Sequence, residues 1–344
     1  KSMLSIYDES GWLPKWELNA TETTTMVGDP AGIIIADTYL RGIKDFDIEK
    51  AYKAITKSAT QLDYNFLRPG IKEYVKRGYL TTSSTKSGSV STTQEYNITD
   101  FAISQLAKSM NKKEDEIFYG KRSISYRKLF DSEFGLLRPK NPDDSWVTPF
   151  SPNTGANFQK NLGFIEGNSW QYTFMVTHDT RGLMKLIGGK EAYSNQLQKV
   201  FNSNQFDMAN EPDIGYPYLF NYVSGQEWRT QNKVSKLIKQ HFNNSPGGLP
   251  GNDDTGTMSA WLIYSMMGLY PVSPADPIYA ITTPVFDKVI IELDNRYYEK
   301  SKLVIHKEGN GLINQIKVGD KSSNHFFVDH TELVKSNNFK IILK

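Results

Sequence analysis

The sequence predicts a mainly α-helical chain that ends in a small antiparallel β unit. Two observations carry this. Up to about Pro274, apolar residues recur at helical spacing in short segments, joined by loops that bear acids and aromatics. Beyond Pro274 the chain changes to short runs rich in β-branched residues with turn residues between them. Helix pairs with functional loops at one end suggest a ring of helices, an α/α toroid, although no clean sequence repeat of about 20–50 residues supports it. The expected division is a helical catalytic domain over 1–273 and a β-rich segment over 274–344.

Residues 1–8 read as a helix, and Lys1-Ser2-Met3-Leu4 resembles the middle of one more than a signal peptide. The chain is therefore expected to be a piece of a longer protein. A loop with two tryptophans follows, Gly11-Trp12-Leu13-Pro14-Lys15-Trp16-Glu17. Residues 33–42 read as a buried helix closed by Gly42. A helix over 48–58 stops before the turn Leu67-Arg68-Pro69-Gly70, and 71–79 is a short one. The Ser/Thr-rich stretch 81–94 reads as a loop. Asp100 reads as the cap of a helix in which Phe101, Ile103, Leu106 and Met110 recur at helical spacing. Further helices are expected over 114–130, 180–187, 190–202, 228–243 and 256–268, and strands over 289–293, 302–306, 315–318, 325–328 and 340–343.

Composition excludes several classes of function. Forty basic residues against 38 acidic give a net charge of +2 without charge blocks, so nothing electrostatic points to nucleic acid or a membrane surface. No apolar run approaches the ~18 residues of a membrane span. With no cysteine there are no disulfides, thiol nucleophiles or thiolate metal sites. The five histidines are scattered, without zinc-site spacing. An aromatic content of 12%, with 19 Tyr and 6 Trp, suits stacking on sugars, though a large core holds many aromatics too.

The stretch richest in chemistry is Gly251-Asn252-Asp253-Asp254-Thr255-Gly256, which leads into an apolar helix. A carboxylate here has a bland reading as a helix cap, because a helix start presents unpaired N–H groups and a partial positive charge. A second carboxylate has no such need, and crowding one there is costly unless a cation, a sugar or an activated water uses it.

Together with Glu166-Gly167-Asn168-Ser169-Trp170-Gln171-Tyr172, Asn210-Glu211-Pro212 and Ser259-Ala260-Trp261, this turn resembles glycoside hydrolase family 92, the calcium-dependent exo-acting α-mannosidases. Gly11-Trp12-Leu13-Pro14, Ser89-Val90-Ser91-Thr92 with Glu95-Tyr96, and Gly268-Leu269-Tyr270-Pro271 agree in the same order. The resemblance covers about residues 3–300. It implies an (α/α)6 toroid packed against a β-sandwich, and cleavage of terminal α-mannose with inversion. It further implies Glu166 as general acid and Asp254 as general base, with Asp253 sharing the water-holding role and Asn252 standing where the family has another acid. The apolar neighbours Phe164, Ile165 and Trp170 lead us to expect Glu166 to be buried and held protonated. For calcium, which takes oxygen ligands, Asn210 and Glu211 are the natural candidates, against a bland reading as a polar loop before Pro212. Trp12, Trp16, Trp170, Asn168, Gln171 and Asn252 are candidate sugar contacts, with the core as the alternative for the tryptophans. His178-Asp179 is expected to be structural.

The chain departs from the family pattern in three places. Nothing precedes Lys1 that corresponds to the family's N-terminal β-sandwich, so that part is expected either as a partner or as a reason for an incomplete site. Met208-Ala209 stand where α-1,2-specific members tend to carry His-Glu, and the segment between Gly188 and Asn210 is short. Two alternatives follow: a non-catalytic fragment that binds mannosides or needs a partner chain, and a mannose-phosphate diester hydrolase. Glu166 speaks against the second, since a phosphate leaving group needs no protonation. A substrate of mannose-terminated glycans, N-glycans among them, would place the protein outside the cell, on its surface or in the periplasm.

Overall fold

The computed structural model describes residues 1–155 and 159–344. The chain is mostly helical, and its longer strands all follow Pro277. Helices over Ile48–Thr60, Ile71–Arg77, Thr180–Ile187, Lys190–Asn202, Glu227–His241 and Thr257–Met267 lie where the apolar spacing predicts them. By contacts the chain forms two compact units, residues 1–189 with 274–276, and residues 190–273 with 277–344.

The first unit is built on the helix Ser89–Ser109, which packs against Lys113–Arg122, Pro30–Leu40 and Ile48–Thr60. The sequence places the start of this helix at Asp100, and the structure corrects that to Ser89. Small polar residues suggested a loop, yet Ser89 to Thr93 are all buried. Their hydroxyls turn back onto the preceding turn: Thr92 Oγ1 donates to Gly88 O at 2.8 Å and Thr93 Oγ1 to Ser89 O at 2.7 Å. Asp100 is no cap but a fully buried mid-helix carboxylate. Arg68 Nη1 reaches its Oδ1 at 3.0 Å, Arg122 grips both oxygens at 2.5 and 2.7 Å, and Tyr74 donates to Oδ2 at 2.7 Å. Around this network Leu13, Ile35, Ile55, Ile103 and Leu106 close an apolar core.

In the second unit, strands Lys288–Glu292, Lys302–Glu308, Ile313–Val318, Lys321–Ser323 and Asn338–Leu343 form one five-stranded sheet. Strand residues alternate between faces, so Leu303, Ile305, Ile316, Phe339 and Ile341 share one buried side. Full burial of each such side chain contributes about 1.5–3 kcal/mol. The pairing is antiparallel except at one place. Asn338–Leu343 inserts between Ile313–Val318 and Lys302–Glu308 and runs parallel to the latter. A parallel neighbour needs a crossover, and the helix His330–Ser336, which the sequence reading missed, lies in it. Phe327–Asp329, Ile278–Ile281 and Leu269–Tyr270 make a second, three-stranded sheet.

Candidate active site

In the first unit, the segment that carries Glu166 is held by the start of the helix Ser89–Ser109. A helix start leaves several backbone N–H groups without intrahelical partners. Here carbonyls of a neighbouring loop take them: Gly88 N donates to Asn161 O, Ser89 N to Leu162 O, and Val90 N and Ser91 N to Gly163 O, at 2.8–3.2 Å. The side chain of Ser91 then accepts from Ile165 N at 3.0 Å, and Tyr172 OH donates to Ile165 O at 2.7 Å. Gly88 has φ +69°, and an added Cβ there would fall 2.3 Å from Ile165 Cγ1, so glycine is what lets the acid-bearing loop approach.

Glu166 itself has φ +48°, a left-handed backbone that is uncommon outside glycine and concentrates at functional sites. The expected burial of Glu166 is corrected: its side chain is exposed, while Phe164 and Gly167 on either side are buried. The positive φ turns the chain, and sequence neighbours therefore face elsewhere.

Asn168 and Gln171 build the helix that follows. Asn168 Oδ1 accepts from Trp170 N and Gln171 N at 3.0 and 3.1 Å, and Gln171 Oε1 accepts from Asn168 N at 3.1 Å. This capping box leaves both residues almost wholly buried. Trp170 is half-buried, its indole donating to Asn153 Oδ1 at 2.9 Å. Trp12 packs on Phe66 with ring centres 5.1 Å apart and lies under the Lys57 ammonium at 4.3 Å, whereas Trp16 is 46% exposed. His178 and Asp179 are both structural and each has its own partner. His178 Nε2 meets Ser123 O at 2.8 Å; Asp179 caps Gly182 N and takes Tyr126 OH and Arg127 Nη2 at 2.8 and 2.6 Å.

In the second unit the two adjacent carboxylates of the turn separate into different roles. Asp253 Oδ1 accepts from Ser259 N and Oδ2 from Ser259 OH, both at 2.8 Å. These bonds hold the Asp253 carboxyl below its ordinary value and fasten it to the first turn of the helix Thr257–Met267. Asp254 is exposed, and its carboxylate has no hydrogen bond or ion pair among the described residues. Its φ is +36°, followed by Thr255 at +59° and Gly256 at +86°. Asn252 is exposed beside it. Asp253 thus takes up an N–H group of the helix's first turn, although the N-cap position itself is Gly256.

The loop of Asn210 and Glu211 lies against this turn, since a Cβ on Gly251 would come within 2.9 Å of Ala209 Cβ. Buried Asp213 shapes the loop by accepting from Asp207 N at 2.9 Å, and Trp261 in the helix Thr257–Met267 donates to Ile214 O at 2.9 Å. Asn210 and exposed Glu211 present hard oxygen donors, the chemistry that calcium selects. No group of three His, Asp or Glu side chains suited to a metal occurs among the described residues. Two oxygen-bearing side chains are thus what the described residues offer here toward the six to eight oxygens that calcium takes.

A family model for the glycosyl hydrolase family 92 catalytic domain matches residues 1–344. The chain belongs to glycosyl hydrolase family 92. It is similar to a family 92 α-mannosidase from Bacteroides thetaiotaomicron solved in complex with mannoimidazole, with a TM-score of 0.89 and 28% identity, over 99% of this chain and 46% of that one. It is also similar to a family 92 inverting mannosidase from the same bacterium, with a TM-score of 0.87 and 26% identity, over 100% of this chain and 49% of that one. An uncharacterized secreted glycosidase from Arthroderma benhamiae is 27% identical over 323 residues, 84% of this chain and 41% of the fungal protein. The chain spans less than half the length of these relatives.

Within this family 92 chain, the structure keeps Glu166, Asn168, Gln171 and the tryptophans in one unit, and Asn210, Glu211, Asn252, Asp253 and Asp254 in the other. Sequence reasoning assigned no role to Ser91, which holds the acid loop, or to Ser259, which engages Asp253. Both stand inside quoted motifs, and that was the available signal.

Proposed function

We propose that this chain is the catalytic part of an exo-acting α-mannosidase that hydrolyses terminal α-mannosyl linkages of glycans with inversion. The observation that carries the reading is family 92 membership along all 344 residues, joined to 28% identity with an α-mannosidase over 99% of the chain. Two exposed carboxylates on left-handed backbone, Glu166 and Asp254, supply the acid and the base.

Glu166 gives its proton to the glycosidic oxygen as the bond from that oxygen to the anomeric carbon breaks. Asp254 takes a proton from a water whose oxygen bonds the same carbon from the opposite face, so the configuration inverts. Asp253 holds the turn so that Asp254 points outward. Asn168 and Gln171 set the helix behind Glu166, and Trp12, Trp16 and Trp170 supply apolar walls. Asn210 and Glu211 would hold calcium, which when bound supplies positive charge to orient sugar hydroxyls. On this reading the helices belong to an (α/α)6 toroid, the N-terminal remainder of the longer relatives is the natural partner, and the protein works outside the cell, as its secreted fungal relative does. No helix among the described residues is long and apolar enough to cross a membrane.

Asp254→Asn and Asp253→Asn test this assignment. With an unactivated α-mannobioside, Asp254→Asn is expected to lower kcat by about 10²–10⁴-fold with an unchanged melting temperature. Asp253→Asn is expected to lower the melting temperature, by loss of its bonds to Ser259, and to cost less activity than Asp254→Asn. The reverse pattern would move the base to Asp253.

A further inference from the structure

One strained residue in the first unit serves nothing described so far. Tyr64 lies in the segment 61–70, between the helices Ile48–Thr60 and Ile71–Arg77. Its φ is +55°, in the left-handed region, where glycine or asparagine is expected and so bulky a side chain is an outlier. Strain of this kind persists only where the surroundings impose it, and it concentrates at functional sites. Packing of the side chain does not impose it here. Tyr64 is 94% exposed, and neither its ring nor its hydroxyl has a partner among the described residues.

The backbone around it is braced. Asn65 Nδ2 donates to Ser58 O at 2.8 Å and Gln61 O at 2.9 Å, and Asn65 Oδ1 accepts from Arg68 N at 3.0 Å. Gln61 Nε2 donates to Asp63 O at 2.8 Å, Lys72 pairs with Asp63 at 2.6 Å, and Tyr96 OH donates to Pro69 O at 2.9 Å. The segment also has a telling place in the fold. Two residues beyond Tyr64, Phe66 packs on Trp12 with ring centres 5.1 Å apart. Further along the same connection, Gly88 N and Ser89 N donate to Asn161 O and Leu162 O of the acid loop. The chain from 61 to 89 thus runs from the tryptophan loop to the loop of Glu166, with Tyr64 held out at the tryptophan end. A lone exposed aromatic is ordinary on a protein surface; one held on braced, left-handed backbone beside the candidate site is not.

We propose that Tyr64 is a stacking platform for the sugar on the leaving-group side of the scissile bond. An exo-acting enzyme holds the terminal mannose at its two carboxylates, so a ring that stands out in solvent meets the remainder of the glycan. The face of an aromatic ring is apolar and carries partial negative charge, which suits the C–H face of a pyranose. Tyrosine has only two side-chain torsions, so little freedom is lost when a ligand orders it. The inference rests on the α-mannosidase reading and adds to it a residue that favours a sugar as leaving group.

The test compares an α-mannobioside with α-mannosyl fluoride, whose leaving group is no sugar, on the whole chain with calcium. For Tyr64→Ala, kcat/KM on the mannobioside relative to that on the fluoride is expected to fall about threefold to tenfold, mostly through KM. Tyr64→Phe keeps the ring and is expected to keep the ratio. Tyr64→Asn removes the ring but suits a left-handed backbone, so its ratio is expected to fall as far while its melting temperature does not. A merely structural residue would not separate the two readouts in this way. Unchanged ratios in the Ala and Asn variants, with wild type active on both substrates, overturn the platform alone. An equal loss on both substrates also overturns it, and so does wild-type turnover of the fluoride alone. Wild-type turnover of neither substrate overturns the enzymatic reading and the platform with it.

Discussion

Glu166→Gln is expected to lower hydrolysis of an unactivated α-mannobioside by about 10²–10⁴-fold, the range for losing a general acid. Glutamine keeps the shape and the exposed position but has no proton to give the leaving oxygen. An aryl α-mannoside with a good leaving group should therefore be spared most of the loss, because its departing oxygen needs little protonation. The melting temperature should fall little, since Ser91, Tyr172 and Asn161 hold the acid loop. Equal losses on both substrates would contradict the acid assignment. So would a variant as active as wild type on the mannobioside.

Asp100→Asn is expected to be the most destabilising conservative change in the first unit. It removes the one charge that faces both Arg68 and Arg122 inside the fold, and breaking a buried pair costs about 3–5 kcal/mol. Urea unfolding checks this, and a loss under about 1 kcal/mol would mean that the network is not the anchor inferred here. The pH dependence has a definite sign. Burial alone would raise the Asp100 carboxyl, but Arg68, Arg122 and Tyr74 hold it below its ordinary value. A carboxyl depressed on folding stabilises the fold above its unfolded pKa and loses that stabilisation as pH falls through the folded value. Wild type should therefore lose stability below about pH 4, and Asp100→Asn should lose less over the same interval.

Most helices and strands were legible because burial on one face imposes a period that a sequence displays directly. The failures have physical causes. The first half of Ser89–Ser109 reads as a loop because its serines and threonines satisfy their own helix, something only the buried context shows. Asp100 looked like a cap because caps are where such a residue usually earns its place, whereas here two arginines from distant segments surround it. The parallel strand Asn338–Leu343 could not be foreseen, since insertion between two earlier strands leaves no local mark. At the site, the residue types were legible and their environments were not. The doublet Asp253-Asp254 left open which carboxylate caps; the reach of Ser259 to Asp253 frees the other. The left-handed turn at Glu166 exposed a side chain whose neighbours in sequence suggested burial.

The most direct test is mannose release by this chain alone from α-1,2, α-1,3, α-1,4 and α-1,6 mannobiosides, with calcium and again with EDTA. The account predicts release with calcium and its loss with EDTA. Because Met208 and Ala209 border the Asn210 loop, α-1,2 is expected not to be the preferred linkage. Calcium-dependent binding of the mannobiosides with no release in either condition would contradict the chain as a self-sufficient mannosidase and assign it the role of a sugar-binding part that needs a partner.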